Sequence, residues 1–171
     1  KRIVKAVSQF KEMPLRIDDR STEIGEISYK LQKLVRQDKC DVAFLDYFGL
    51  IEPPDMINGN MQNRMRQVSR ELKFLSKSTD VPIIILSQLN RRMLYRETKR
   101  PRKSDLRNTG GLEQDADTVI LIHRPGVYDD EVDDKAKTEM IVAKQRNGPL
   151  ATVKANYDEK TGRFKDVSYW A

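Results

Sequence analysis

The chain has 171 residues, of which 38% are hydrophobic and 34% charged, and a net charge of +6. That length supports one domain with its own core, and no stretch approaches the roughly 18 apolar residues of a membrane span. Cys40 is the single cysteine, which excludes an internal disulfide and a cysteine-based zinc site and fits a reducing, cytosolic setting.

Lys1 to Met13 reads as the end of a helix or a linker, and its apolar part is too short for a secretory signal. Pro14 stops it, because proline disfavours helix in the residue before it. Leu15-Arg16-Ile17 reads as a short strand ending in Asp18-Asp19. From about Gly25 to Gln37, Ile27, Leu31, Leu34 and Val35 recur at helical spacing. Val42 to Ile51 is a near-continuous apolar run with one charge, Asp46. Its first half reads as a strand buried on both faces, as in a parallel sheet covered by helices. Pro53-Pro54 ends any regular element there. A second helix spans about Asn60 to Ser78, with Met61, Met65, Val68, Leu72 and Leu75 along one stripe. Val81 to Leu86 is a further buried strand, ending in Ser87-Gln88. Strands at Thr118 to Ile122 and Met140 to Ala143 flank an acidic loop, Asp129 to Asp134. Ala151 to Tyr157 and Arg163 to Val167 form a hairpin, with Gly162 free to take positive φ. Strands alternating with helices, followed by consecutive strands, specify an α/β fold with a mostly parallel sheet, helices on both faces and an antiparallel carboxy-terminal hairpin extension.

Candidate chemistry gathers at two strand ends and one loop. A carboxylate inside an apolar run is costly to bury unless it is paired. Asp46 therefore either opens onto a site, where such an Asp can hold Mg²⁺, or ends its strand by capping a turn. Gln88 stands at the end of the next strand, and ligands of open α/β sheets bind at the carboxyl ends of strands. Between Leu89 and Arg107 lie eight basic residues (Arg91, Arg92, Arg96, Lys99, Arg100, Arg102, Lys103 and Arg107) against Glu97 and Asp105. This segment suits a phosphate backbone or is a solvated charged loop. Tyr95 is its one ring, so backbone tracking is favoured over base stacking. His123 has no partner set for a metal. Asp115 and Asp117 read as residues that fix a loop before a strand.

Four segments in order resemble replicative helicases of the DnaB type. Leu45 to Ile51 (Leu-Asp-Tyr-Phe-Gly-Leu-Ile) is similar to the family's Walker B strand, and Val81 to Arg91 (Val-Pro-Ile-Ile-Ile-Leu-Ser-Gln-Leu-Asn-Arg) to its next motif. Ser104 to Asp117 is similar to its DNA loop, and Lys144 to Pro149 (Lys-Gln-Arg-Asn-Gly-Pro) to its arginine-finger strand. The resemblance implies part of a RecA-like ATPase domain, ATP and Mg²⁺ as cofactors, and 5'-3' movement on single-stranded DNA to unwind duplex. It further implies a homo-hexameric ring and a cytoplasmic setting, at the nucleoid or in a phage replication complex, without membrane. Loader and primase partners are expected through regions outside this chain. Carried over by position, Asp46 holds Mg²⁺ through water and Gln88 senses the γ-phosphate. Lys144 and Arg146 reach a neighbour's ATP site, although both also suit basic residues guarding a sheet edge. Arg107, Asn108 and Gly110 touch the DNA backbone.

Two departures stand out. The chain has no Gly-x-x-x-x-Gly-Lys-Ser/Thr phosphate loop, so it reads as a carboxy-terminal piece without its own phosphate cradle, and no hydrolysis is expected from it alone. Gly49 occupies a position where many relatives have a larger polar residue. The alternatives to a motor are a non-hydrolysing single-stranded-DNA-binding or regulatory domain and a RecA- or RadA-type recombination ATPase.

Overall fold

The computed structural model describes residues 2–53, 60–106, 111–129 and 136–167. Helix α1 covers Arg2–Glu12. Helix α2 covers Ile24–Arg36 and α3 Met61–Thr79. Both match the helices expected from spacing to within a residue or so. In α3 the side chain of Asn60 accepts the Asn63 N–H at 3.0 Å, closing the first turn. Val68, Leu72 and Leu75 of the expected stripe are buried, whereas Met61, in the first turn, is exposed.

Strand β1 is Ala43–Leu45 and β2 is Ile83–Ile85. They pair in parallel, Leu45 opposite Ile85, joined through α3. Ala43, Leu45, Ile83 and Ile85 pack on a core built from Ile24 and Leu31 of α2 and Val68, Leu72 and Leu75 of α3. Side chains alternate across a strand, so Phe44 and Ile84 point the other way and are 64% and 47% exposed. The expectation of strands buried on both faces is therefore corrected. Both helices pack on one face of the pair, and among the described residues nothing covers the other.

A second sheet holds β3 (Thr118–His123), β4 (Lys137–Gln145), β5 (Ala151–Asp158) and β6 (Arg163–Asp166), in that order and all antiparallel. Gly162 turns the last hairpin at φ 66°, as its sequence position predicts. Val119 and Leu121 of β3 share a smaller core with Leu106 and Ile141. Between the two sheets runs α4, Leu112–Asp115. Its Leu112 enters the larger core, and Ala116 just beyond it packs on the smaller one.

The α/β class expected from the sequence holds, with two differences in proportion. Among the described strands, antiparallel pairing extends over four of them, and parallel pairing is confined to β1 and β2. Leu15-Arg16-Ile17 lies outside any strand. A strand needs a neighbour for its N–H and C=O groups. Here Asp18 turns the chain instead, its Oδ1 accepting the N–H groups of Arg20 and Ser21 at 3.1 and 3.2 Å.

Candidate functional site

Asp46 follows the last residue of β1, and Gln88 lies three residues past β2. The two strands are parallel neighbours, so both residues stand at the same edge, the carboxyl ends. The edge is held by main-chain bonds: Leu86 donates to Leu45 O and Phe48 to Leu86 O, both at 2.9 Å. Phe48 is 2% exposed and anchors the turn after Asp46. The side chains of Asp46 and Gln88 are exposed, and neither has a hydrogen-bond or ion-pair partner among the described residues. Asp46 thus avoids the cost of a buried carboxylate by leaving the sheet at its end.

This donor set fits a magnesium ion. Mg²⁺ keeps several waters and takes one or two carboxylates together with substrate phosphates, rather than an all-protein cage. One free carboxylate meets that need. No cluster of three or more His, Cys, Asp or Glu side chains suited to a metal occurs among the described residues, so a closed structural site is not what this edge offers. Beside it, the ring of Tyr47 fills the space over Gly49: a Cβ at residue 49 would stand 2.7 Å from Tyr47 Cε2. A larger residue there requires that ring to move.

Lys144 and Arg146 sit at the far end of β4, and their side chains converge on residues 113–117. Lys144 Nζ donates to the carbonyls of Glu113 at 3.0 Å and Gln114 at 2.7 Å. It thus meets carbonyls at the end of α4, where a helix leaves them unpaired and a cation is favoured. Arg146 Nη1 donates to Asp117 Oδ1 at 3.0 Å, and its main-chain N–H donates to Asp117 O at 3.0 Å. Gln145, between them, accepts instead from the Thr118 hydroxyl. The expected pairing of residues 144 and 146 on one side of the chain describes this arrangement.

Sequence reasoning missed what holds this cluster. Lys73 of α3 donates to the other oxygen of Asp117, and Ser69 donates to Asp115 Oδ2 at 2.6 Å. Asp115 and Asp117 do fix the segment before a strand, as their position suggested. Their partners lie 44 to 46 positions away in sequence, beyond the reach of local pattern. The Lys73 hydrogen bond, with the Lys73, Arg146 and Lys144 charges, holds the Asp117 carboxyl below its usual range against the opposing effect of burial.

The basic segment is partly neutralised by the fold. Arg96 pairs with Asp105 at 2.6 Å, Arg100 with Glu139 at 2.6 Å and Lys103 with Glu113 at 3.5 Å. Arg91, Arg92 and Arg102 are exposed and make no side-chain ion pair among the described residues. Arg107, Asn108 and Gly110 lie outside the described residues. Gly111, next to them, starts α4 at φ 98°, a left-handed conformation that favours glycine. No helix among the described residues is long and apolar enough to cross a membrane.

Residues 1–166 match the family described as the DnaB-like helicase C terminal domain. The chain is 41% identical, over 93% of its length, to the replicative DNA helicase DnaB of Buchnera aphidicola subsp. Baizongia pistaciae, covering 35% of that protein. It is 35% identical, over 97% of its length, to the replicative DNA helicase DnaC of Bacillus subtilis, covering 37% of it. The chain thus spans about a third of the curated relatives it matches. Among solved structures it resembles one of an isolated ATPase domain, with a TM-score of 0.90, 34% identity and coverage of 98% of this chain and 60% of that one. A structure of a DnaB-like replicative helicase and its interactions with primase matches with a TM-score of 0.90, 34% identity and coverage of 98% and 40%.

Proposed function

The chain belongs to the DnaB-like helicase C-terminal domain family, and we propose on that premise that it is part of the ATPase domain of a ring-shaped replicative helicase that unwinds duplex DNA. The observation that carries the reading is the pair Asp46 and Gln88, exposed and unpartnered together at the carboxyl ends of β1 and β2. In this reading Asp46 accepts hydrogen bonds from the waters of Mg²⁺, and Gln88 donates to a γ-phosphate while its carbonyl accepts from water. Bound Mg²⁺ supplies charge neutralisation on the phosphates. Lys144 and Arg146 serve the site of the next subunit, where a forked guanidinium stabilises charge on the transferring phosphoryl group. The phosphate cradle is supplied by sequence outside residues 1–171, so these residues alone do not turn over ATP.

Arg107, Asn108 and Gly110 contact the single-stranded DNA backbone, and Arg91, Arg92 and Arg102 extend the positive surface toward it. The homo-hexamer, the loader, the primase and the cytoplasmic setting belong to the same proposal. The relatives that the chain matches are named as replicative helicases, which favours a motor over a recombinase or a non-hydrolysing regulator.

The test is binding of an oligo(dT) to this chain at two salt concentrations, beside Arg107→Ala. Affinity falls steeply between about 50 and 200 mM salt, and the substitution weakens binding and makes the salt slope shallower by about one unit. Binding that ignores both salt and Arg107 would sink the DNA assignment and return the segment to a solvated loop.

A further inference from the structure

Residue 117 grips residue 146 twice. Its carbonyl accepts the Arg146 main-chain N–H at 3.0 Å, and its carboxylate accepts Arg146 Nη1, also at 3.0 Å. The carboxylate is itself tethered, because Lys73 of α3 occupies its second oxygen. Asp117 is thereby fixed from the helical layer and fixes Arg146 in turn. A guanidinium has five N–H donors. Its hydrogen bond to Asp117 is the one side-chain contact it makes among the described residues, and the side chain is 62% exposed. The greater part of the fork is therefore aligned by the protein and still open to an anion.

An exposed ion pair by itself contributes little to stability, so energy does not explain the arrangement. Orientation does. A long arginine side chain loses rotamer freedom whenever it is ordered, and that loss falls on the reaction unless the group is ordered beforehand. We propose that Asp117 is a positioning residue: its two contacts fix the direction in which the Arg146 guanidinium leaves the end of β4, toward a phosphoryl group bound by a neighbouring copy, with Lys73 holding Asp117 in place. This rests on the reading of Arg146 as a group acting on the neighbour's site. It adds a residue that neither the motifs nor the family match assigns.

The experiment uses the full-length helicase that carries these residues, measured as DNA-stimulated ATP turnover. Asp117→Ala lowers kcat on the order of tenfold to a hundredfold and leaves the KM for ATP within about twofold, as expected when an interaction acts in the transition state alone. Asp117→Asn keeps an acceptor for Nη1 and retains kcat within about threefold of the parent. Rings mixed from Asp117→Ala and Asp46→Ala subunits hydrolyse ATP faster than the sum of the two separate variants. The mixture contains sites that pair an intact Asp46 with an intact Asp117 and Arg146 from the next subunit. Arg146→Ala mixed with Asp46→Ala recovers in the same way. Should Asp117→Ala not enter rings, Lys73→Met asks the same question, with a smaller loss of kcat and the same recovery on mixing.

The proposal is overturned if Asp117→Ala leaves kcat unchanged. It is also overturned, alone, if the Arg146→Ala mixture recovers and the Asp117→Ala mixture does not, because Asp117 then acts inside its own subunit. If neither mixture recovers, the role of Arg146 on the neighbour falls, and this proposal falls with it.

Discussion

At the end of the parallel pair, Asp46 and Gln88 are exposed and hold no partner among the described residues. At the end of β4, Lys144 rests on two carbonyls and Arg146 on a tethered carboxylate. The difference comes from what each group has to do. A short carboxylate on the rim of a sheet is already placed by the backbone, and water covers it until a ligand arrives. A long cation at a strand end has no fixed direction, so other parts of the chain must supply one. The two sheets differ in the same sense. The parallel pair is packed on one face and bare on the other, whereas the antiparallel sheet is tied by side chains to α3 and α4 around the segment that carries its cations.

Removing the free carboxylate gives the largest expected effect. In the full-length helicase, Asp46→Ala lowers ATP turnover on the order of a thousandfold, about 4 kcal/mol of barrier. The melting temperature of the variant stays that of the parent, because the side chain has no partner to lose. An early melt would show that Asp46 is held after all, and the contrast between the two strand ends would break.

The two faces of the parallel pair give the next test, read by urea unfolding of this chain. Leu72→Ala, 2% exposed in the larger core, costs about 3 kcal/mol. Phe44→Ala, on the bare face, changes stability by less than about 0.5 kcal/mol. Equal costs would mean that something covers the face.

The smallest effect concerns the antiparallel sheet. His123, the single histidine, is 8% exposed and stacked on Tyr128 at 6.0 Å. Burial pushes its pKa below the ordinary 6.5, with Glu139 opposing and Arg100 adding to the shift. The unfolded chain therefore takes up the proton first as pH falls. The stabilisation is fully present above pH 6.5 and is lost as pH drops through the lowered value. Melting midpoints at pH 7 and pH 5 should show a fall that His123→Gln flattens, since the carboxylates with resolved shifts are pushed below their ordinary values of 3.8 and 4.5. A parent chain with a flat profile would show that His123 is not confined as the fold indicates.

Much of this protein is written locally. The stripes of α2 and α3, the hairpin with Gly162 and the strand ends at Asp46 and Gln88 depend on residues within a turn or a few positions of each other, and the structure has them where the sequence puts them. Leu15-Arg16-Ile17 shows the limit: its composition suits a strand, but a strand also requires a neighbour. The run from Val42 shows another, since apolarity marks what can be buried and not what is at hand to cover it. The bonds that aim Arg146 were not legible, because Lys73, Asp117 and Arg146 are 44 and 29 residues apart and each reads alone as a solvated charge. Sequence by itself determined the elements, the family and the residues of the candidate site, because periodicity, turn chemistry and motif order are short-range. Tertiary structure alone decided which side chains are left free and which are held, because that depends on distant parts of the chain meeting at one place.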